Sequence, residues 1–272
     1  MSQSYLEITT QIGCVVNCRK YCPQELIMKK LGGMKPLTLA AFKELITTVP
    51  IETLIDFAGL SEPFQNPECP DMILYAHQKG HKIKVSSTLT GLLLNDAMRL
   101  CEIPFVEFIL HLPDSEGNAH IPITPNYQNT LTYILTHVSN IAVMNMGGKF
   151  HSNHVEDFAR GKITTRKKGR MICAALEAPC YQLMPNGDVI FCCSVRGLTG
   201  KVGSLYESTY PELAAKHKKI SLRLQKDPES FCHKCPTSNN YHIMKILKWK
   251  DRLLRGKNII QTLSSIVYYF SP

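Results

Sequence analysis

The chain has 272 residues, of which 44% are hydrophobic and 19% charged, and its 31 Lys and Arg residues against 22 Asp and Glu give a formal net charge of +9. This composition excludes an intrinsically disordered chain and indicates one large or two small globular domains. The N-terminus lacks a signal-peptide pattern, and no stretch of about 20 apolar residues is present to span a membrane, so we expect a cytoplasmic protein.

The first 150 residues alternate between two patterns. Helical patterns over 38–49, 69–80, 92–102 and 126–138 separate short apolar runs, and Thr38 is a candidate N-cap. The apolar runs, predicted to be strands, span 5–10, 52–59, 82–89, 105–112 and 141–146. Strands that alternate with helices predict an α/β fold with a partial (βα)-barrel of about five to six parallel strands. In such folds the ligand site lies at the carboxyl ends of the strands.

The pattern changes after residue 150. A basic, polar stretch is predicted to be a linker over 161–172, between a first domain at 1–160 and a small α+β module at 173–272. Within that module, 180–193 is predicted to form a β-hairpin around Asn186-Gly187, and 204–225 a helix. A basic amphipathic helix is predicted near 241–255.

Basic residues are concentrated at 162–170 and 245–257. The ordinary interpretation of such runs is a solvated surface. The alternatives are an anionic substrate, an acidic membrane surface contacted by the C-terminal helix, or nucleic acid, although we expect no DNA partner.

The eleven cysteines indicate metal binding or catalysis, because thiols stay reduced in the cytoplasm. Cys14, Cys18 and Cys22 follow the first predicted strand with three residues in each gap. Zinc sites usually need four ligands. A [4Fe–4S] cube can instead be held by three cysteines, which leaves one iron free for a substrate or cofactor.

The stretch "CVVNCRKYCPQ" resembles the cysteine motif of the radical S-adenosylmethionine (SAM) superfamily, in which the gaps are three and two residues. An aromatic residue, here Tyr21, immediately precedes the third cysteine of that motif. The extra residue lies at Arg19-Lys20, where we expect the loop to bulge. The resemblance implies a SAM-binding [4Fe–4S] cluster on Cys14, Cys18 and Cys22, with Tyr21 beside the cofactor.

The resemblance extends to the turn "GLSEP" after the second strand. In the superfamily a turn at this place contacts the amino group of SAM, which implies cofactor binding by Gly59, Ser61 and Glu62. An ordinary solvated carboxylate is the alternative for Glu62. Weaker parallels imply further cofactor contacts along the next strands, made by Ser87, Thr88, His111, Asn145 and Arg160. Structural roles remain the alternatives for these five residues.

The later cysteines resemble a "twitch" module, a shortened SPASM domain. This resemblance implies a second, auxiliary [4Fe–4S] cluster on Cys173, Cys192, Cys232 and Cys235. Cys193 is the alternative to Cys192 and Cys180 the alternative to Cys173, and a four-cysteine zinc site is the alternative to the cluster.

Together these resemblances imply an enzyme that cleaves SAM to a 5′-deoxyadenosyl radical and abstracts hydrogen from a small, sugar-like or anionic metabolite. Dehydrogenation is the expected reaction, with an electron donor such as flavodoxin or ferredoxin. Epimerisation is an alternative, with Cys180 or Cys193 as the hydrogen donor. Peptide modification is less favoured, because no leader-peptide domain precedes the first strand. The alternative from another class is a non-catalytic Fe–S or zinc protein that binds nucleic acid.

Overall fold

A computed structural model of the chain describes residues 4–18, 22–145, 163–172, 180–235 and 238–240. Its strands are β1 (Tyr5–Thr9), β2 (Leu54–Ala58), β3 (Ile83–Ser87), β4 (Glu107–Leu112), β5 (Ile141–Asn145), β6 (Met171–Ile172), β7 (Cys180–Leu183), β8 (Asp188–Ile190), β9 (Lys201–Ser204) and β10 (Asn239–Asn240). The first five confirm the predicted strands to within about two residues at each end.

The helices also follow the predicted pattern, although the one predicted over 204–225 begins only at Tyr210, because residue 204 ends strand β9. They are α1 (Gln24–Leu31), α2 (Leu39–Leu45), α3 (Cys69–Gln78), α4 (Leu94–Leu100), α5 (Pro125–His137) and α6 (Tyr210–Leu224). Thr38 caps α2 as predicted, because its side chain accepts a hydrogen bond from the Ala41 amide. Helix α1, directly after the cysteine loop, was not predicted. Cys69 is fully buried in α3, as expected for a small apolar residue.

Eight strands form one sheet in the order β5-β4-β3-β2-β1-β7-β8-β9, while β6 and β10 form a separate pair. The six strands from β5 to β7 are parallel, which confirms the predicted partial barrel. Strands β8 and β9 continue the sheet in antiparallel pairing. One face packs against the helices: Leu6 and Ile8 are fully buried, and the rings of Phe42 and Phe57 lie 5.7 Å apart. The opposite face is the interior of the partial barrel.

The predicted hairpin at 180–193 is present as β7 and β8, but it does not form a sheet of its own. Strand β7 pairs in parallel with β1, and Leu6 lies opposite Tyr181. The physical reason is that β1 has two edges, and β7 fills the one that β2 leaves open. The predicted domain boundaries at 160 and 172 therefore stay predictions, while the sheet runs continuously across them.

The segment predicted as a linker is described from residue 163 onward, where it contacts the chain around the later cysteines. Arg166 pairs with Glu229 at 2.7 Å, and the Lys167 amide donates to the His233 carbonyl at 2.8 Å. Strands β6 and β10 then pair in antiparallel fashion. Within the described ranges, no helix is both long enough and apolar enough to cross a membrane. The predicted helix near 241–255 lies outside these ranges.

Candidate active site

A cavity of about 290 Å³ lies at the carboxyl ends of the parallel strands, where the fold class predicts a ligand site. The loop after β1, the turn after β2 and the ends of β3 and β4 all contribute to its wall. The residues that line it include Cys14, Cys18, Cys22, Gln24, Gly59, Ser61, Glu62, Ser86, Ser87, Thr88, His111, Met144 and Arg196. Nine residues of the predicted SAM and cluster site thus meet around one space.

The three cysteines of the first loop are partly buried and chemically suited to a cationic cluster. Burial, together with the neighbouring Cys14 and Cys22, raises the pKa of Cys18 to about 12. Three thiolates at this place therefore need compensating positive charge, which iron supplies. The Glu62 amide donates to Cys14 Sγ at 3.4 Å, and Gln24 Nε2 donates to Cys22 Sγ at 3.1 Å. Such N–H···S bonds tune iron–sulfur clusters.

In the part of the chain that the structure describes, no group of three or more His, Cys, Asp or Glu side chains lies close enough to hold a single metal ion. The thiolates of a [4Fe–4S] cube bind different irons at separate corners, so they lie farther apart than the ligands of one tetrahedral ion. Three cysteines around a shared cavity, with hydrogen-bond donors beside two of them, fit the cube in number and chemistry.

The turn after β2 is held against the cysteine loop. Gly59 has a φ of +94°, and a Cβ atom on it would lie 2.2 Å from Thr9 Oγ1. Only glycine combines this backbone conformation with such a close approach to β1. Ser61 Oγ donates to the Gln11 carbonyl at 2.8 Å, which joins the turn to the start of the loop.

Glu62 is not an ordinary solvated turn carboxylate. It is 5% exposed, and it accepts hydrogen bonds from Ser87 Oγ at 2.5 Å and from both the amide and the hydroxyl of Thr88 at 2.7 Å. The Phe64 amide is a fourth donor, at 3.4 Å. Burial raises the pKa of Glu62, whereas these hydrogen bonds favour its ionised form. Ser87 and Thr88 thus hold Glu62 and join the ends of β2 and β3 at the cavity wall.

Other polar side chains at the cavity have unfilled hydrogen-bonding atoms. Burial lowers the pKa of His111, which favours the neutral ring, and its Nδ1 is buried without a hydrogen-bond partner. Arg196 has a left-handed backbone, with φ +52°, and its Nε is likewise buried and unpartnered. Sequence analysis did not single out Gln24 or Arg196. Gln24 belongs to the "CPQ" continuation of the motif, whereas Arg196 gave no sequence signal.

Several predicted site residues are not tested by the structure. Tyr21, Arg160 and Cys173 lie outside the described residues. Asn145 and Cys180 lie at described strand ends, but their side chains are not described. Their roles stay predictions.

The later cysteines lie around the end of the hairpin. Cys192, Cys232 and Cys235 are buried, whereas Cys193 is half-buried. The rings of Phe191 and Phe231 lie 6.1 Å apart, so the residues that precede Cys192 and Cys232 are in contact. The four-ligand set and the choice between Cys192 and Cys193 stay predictions, because Cys173 lies outside the described ranges.

A row of polar side chains crosses the barrel interior one level below the cavity. The strand register places one residue from each of five neighbouring strands side by side, and these residues, hereafter the interior row, are Gln182, Glu7, Asp56, Lys84 and Glu107. Gln182 Nε2 donates to Glu7 Oε1 at 2.6 Å, and Lys84 Nζ lies 2.7 Å from Glu107 Oε2. The Tyr5 hydroxyl donates to Asp56.

Burial governs the charge of the interior row. It raises the pKa of Glu7 well above its usual range; Cys193 and Asp56 raise it further, and Arg196 opposes the shift. Burial also raises the pKa of Asp56 to about 6, although the hydrogen bond from Tyr5 opposes the shift. Both carboxylates are therefore costly to ionise without an added positive charge.

The Asp56→Asn variant should change how stability depends on pH. Because the folded pKa of Asp56 is raised to about 6 from its ordinary value of 3.8, the folded state keeps a proton that the unfolded state releases between these pH values. Wild-type stability should therefore fall as pH rises from 4 to 6, by up to roughly 3 kcal/mol from this residue. The variant lacks this loss. Urea unfolding should therefore show that the variant becomes more stable relative to the wild type as the pH rises from 4 to 6. A constant difference between the two proteins would contradict the assignment.

No protein-family model matches the chain, and no curated protein sequence matches it. Solved structures do match. BtrN in complex with AdoMet and 2-DOIA matches with a TM-score of 0.63 and 13% identity, covering 89% of this chain and 94% of BtrN. An open conformation of BtrN gives a TM-score of 0.58 at 13% identity, with 89% and 98% coverage. A histidine-tagged form of anSMEcpe with bound AdoMet gives 0.52 at 13% identity, with 97% of each chain covered.

One of the two BtrN structures and the anSMEcpe structure contain bound AdoMet. At 13% identity these matches show that the chain has the same fold, and so they confirm the predicted resemblance at the level of the fold.

Proposed function

We propose that this protein is a radical SAM enzyme that binds a [4Fe–4S] cluster through Cys14, Cys18 and Cys22 and acts on a small metabolite. The observation that carries the proposal is the shared cavity. Three cysteines, the Gly59–Pro63 turn and the end of β3 line it, in a fold shared with AdoMet-bound structures.

A cluster held by Cys14, Cys18 and Cys22 would supply the electron for cleavage of SAM to methionine and a 5′-deoxyadenosyl radical, which would take a hydrogen atom from the substrate. The chain's own residues position the reactants. Gln24 links the cysteine loop to the turn, because its Nε2 donates both to Cys22 Sγ and, at 2.7 Å, to the Leu60 carbonyl. Buried Glu62 places negative charge beside the turn, where the SAM ammonium group is expected.

Anaerobic reconstitution with iron and sulfide tests the proposal. The loaded protein should convert SAM to 5′-deoxyadenosine when dithionite is added, even without substrate. Release of 5′-deoxyadenosine should be followed by chromatography. A protein that binds a cluster, shows its absorbance and still forms no 5′-deoxyadenosine would refute the enzyme proposal.

An auxiliary [4Fe–4S] cluster on Cys173, Cys192, Cys232 and Cys235 is part of the proposal, with oxidation of the substrate as the reaction. The burial of Cys192, Cys232 and Cys235 and the contact between Phe191 and Phe231 support it. Two cubes would give about eight irons per chain and one cube about four. An oxidised product should be two hydrogens short of its substrate, and we expect a flavodoxin- or ferredoxin-like partner to donate the electron for SAM cleavage.

Epimerisation is a second candidate, favoured by the position of Cys193. This half-buried thiol is close enough to Glu7 and Asp56 to raise the pKa of both carboxyl groups. It therefore lies near the barrel interior, where a hydrogen donor would be needed. Turnover in deuterated water should then place one solvent deuterium in the product, and a product without deuterium would exclude this reaction.

A further inference from the structure

We propose that Arg196 binds an anionic group of the substrate, a carboxylate or a phosphate, at the cavity. The inference rests on the proposed function, because it names the substrate class of the same cavity. It narrows the sequence-based choice between a sugar-like and an anionic metabolite, and it gives a role to a residue that sequence analysis did not single out.

Arg196 brings positive charge to the cavity wall. Among the described residues that line the cavity, it is the only Lys or Arg. It comes from the connection between β8 and β9, at one end of the sheet, whereas His111 and Met144 line the cavity from β4 and β5 at the other end. Burial lowers the pKa of His111, which favours its neutral ring. An anionic ligand in this space would therefore find its cationic partner in Arg196.

The backbone around Arg196 is held in place by packing. Arg196 ends the short 3-10 turn Cys193–Val195 with φ +52° and ψ +37°, and its amide donates to the Cys193 carbonyl at 3.0 Å. The next residue, Gly197, packs against the cavity wall, since a Cβ atom on it would lie 3.0 Å from Leu60 Cδ1. A left-handed backbone is uncommon for residues with a Cβ, and such conformations cluster at functional sites. The guanidinium group is thus carried by a packed turn beside the cavity.

The guanidinium group has donors to spare. Within the described part of the chain, Arg196 forms no side-chain hydrogen bond or ion pair, and of its three side-chain nitrogens only Nε is buried without a partner. The two terminal nitrogens are therefore reachable from solvent, and we assign the ligand contact to them. Their N–H groups form a planar fork that matches the two oxygens of a carboxylate or the oxygens of a phosphate.

The carboxyl group of Glu7 does not neutralise Arg196. The two side chains interact through their charges, without a hydrogen bond between them in the described structure. Burial raises the pKa of Glu7 well above its usual range, and Cys193 and Asp56 raise it further, so the protonated, neutral form of Glu7 is favoured. The charge of Arg196 is thus left for a ligand. An anionic ligand would compensate it, whereas a cationic ligand would be repelled.

The carboxylate of SAM is the other anion expected in the cavity. The proposed function places the methionine end of SAM at the three-cysteine loop and the Gly59–Pro63 turn. Arg196 belongs instead to the turn that begins at Cys192, which is a proposed ligand of the auxiliary cluster. A substrate between the two clusters would meet Arg196 from the cavity. The position of Arg196 therefore favours the substrate as its ligand, and the experiment below separates the two anions.

Three matched sugars test the inference: glucose, glucuronate and glucose 6-phosphate, which carry a hydroxyl, a carboxylate and a phosphate at the same end. Saturation-transfer NMR on the reconstituted, SAM-bound protein should show that both anionic sugars bind more tightly than glucose, by roughly tenfold to a hundredfold. Arg196→Gln should remove this preference. Arg196→Lys keeps the charge but loses the planar fork, so it should retain part of the preference.

Arg223→Gln is the matched control, because it removes the same charge from an exposed position on α6 that does not line the cavity. The preference for anionic sugars should be unchanged in this variant. Equal loss in Arg223→Gln and Arg196→Gln would show attraction by the overall positive charge and would overturn the inference. Equal binding of all three sugars by the wild type, no binding of any at tens of millimolar, or a preference that survives in Arg196→Gln would overturn it as well.

The dissociation constant of SAM is measured for each variant. Weaker SAM binding by Arg196→Gln, with the sugar preference intact, would assign Arg196 to the SAM carboxylate and overturn the inference. Circular dichroism should confirm that each variant is folded, and Arg196→Lys serves alone if Arg196→Gln is not. Formation of 5′-deoxyadenosine by the wild type without substrate is measured in parallel, so that failure of the inference is distinguished from failure of the proposed function.

Discussion

Cys18→Ala is expected to abolish cluster binding and with it the cleavage of SAM. Cys18 lies between the other two cysteines in the loop, and all three line the same cavity. With one thiolate missing, two ligands are too few to hold the cube while one iron stays open for SAM. We expect 5′-deoxyadenosine formation to fall by more than roughly a hundredfold. The iron content should fall by about four irons, with a matching loss of visible absorbance, while the proposed auxiliary cluster stays in place.

Cys101→Ala is the matched control for this loss. Cys101 is partly buried at the end of α4 and does not line the cavity. Its replacement should leave iron content and 5′-deoxyadenosine formation close to wild type. Equal losses in both variants would show that replacing a cysteine causes general misfolding. Full activity in Cys18→Ala would refute the assignment of the cluster to this loop.

Gly59→Ala is expected to destabilise the folded protein by about 3 kcal/mol. Two effects add: the backbone at φ +94° is strained for any residue with a Cβ, and that Cβ would lie 2.2 Å from Thr9 Oγ1 and 3.0 Å from Thr9 Cα. Since a backbone atom is involved, a side-chain rotation cannot relieve the overlap. Urea unfolding at constant pH measures the effect.

Gly117→Ala separates the two contributions. Gly117 also has a positive φ, +63°, but nothing lies within 4 Å of the place where its Cβ would be. The free energy of unfolding of this variant should therefore fall by only about 1 kcal/mol, the cost of the unfavourable backbone conformation. Equal destabilisation of the two variants would contradict this prediction. It would show that the close approach of the turn to β1 does not add to the free-energy cost of a Cβ atom at Gly59.

Much of the fold was predictable because its signals are local. Alternating apolar runs marked the first five strands, and capping residues such as Thr38 marked helix starts. The cysteine spacing and the "GLSEP" turn pointed to the residues that line the cavity. These motifs were informative because strand ends of a parallel sheet meet at one edge, so residues far apart in sequence reach the same site.

The remaining features depend on contacts between distant segments. One charged residue within each of β1 to β4 was visible in the sequence, but only the register shows that Glu7, Asp56 and Lys84 lie side by side. Likewise, the hairpin was predicted from its turn, whereas its attachment to β1 was not. Glu62 was predicted to be a cofactor contact. Its hydrogen bonds from Ser87 and Thr88 were not predicted, because they depend on β2 and β3 ending side by side.

The position of β1 between β2 and β7 has a consequence for how the chain folds during synthesis. Tyr5 pairs with Cys180, so one edge of β1 gains its partner only after about 175 further residues have been synthesised. Until then one edge of the nascent sheet exposes unpaired amide and carbonyl groups, which favour association with other chains. Such long-range pairing slows folding. The strand that supports the cysteine loop is thus synthesised long before it is fully paired.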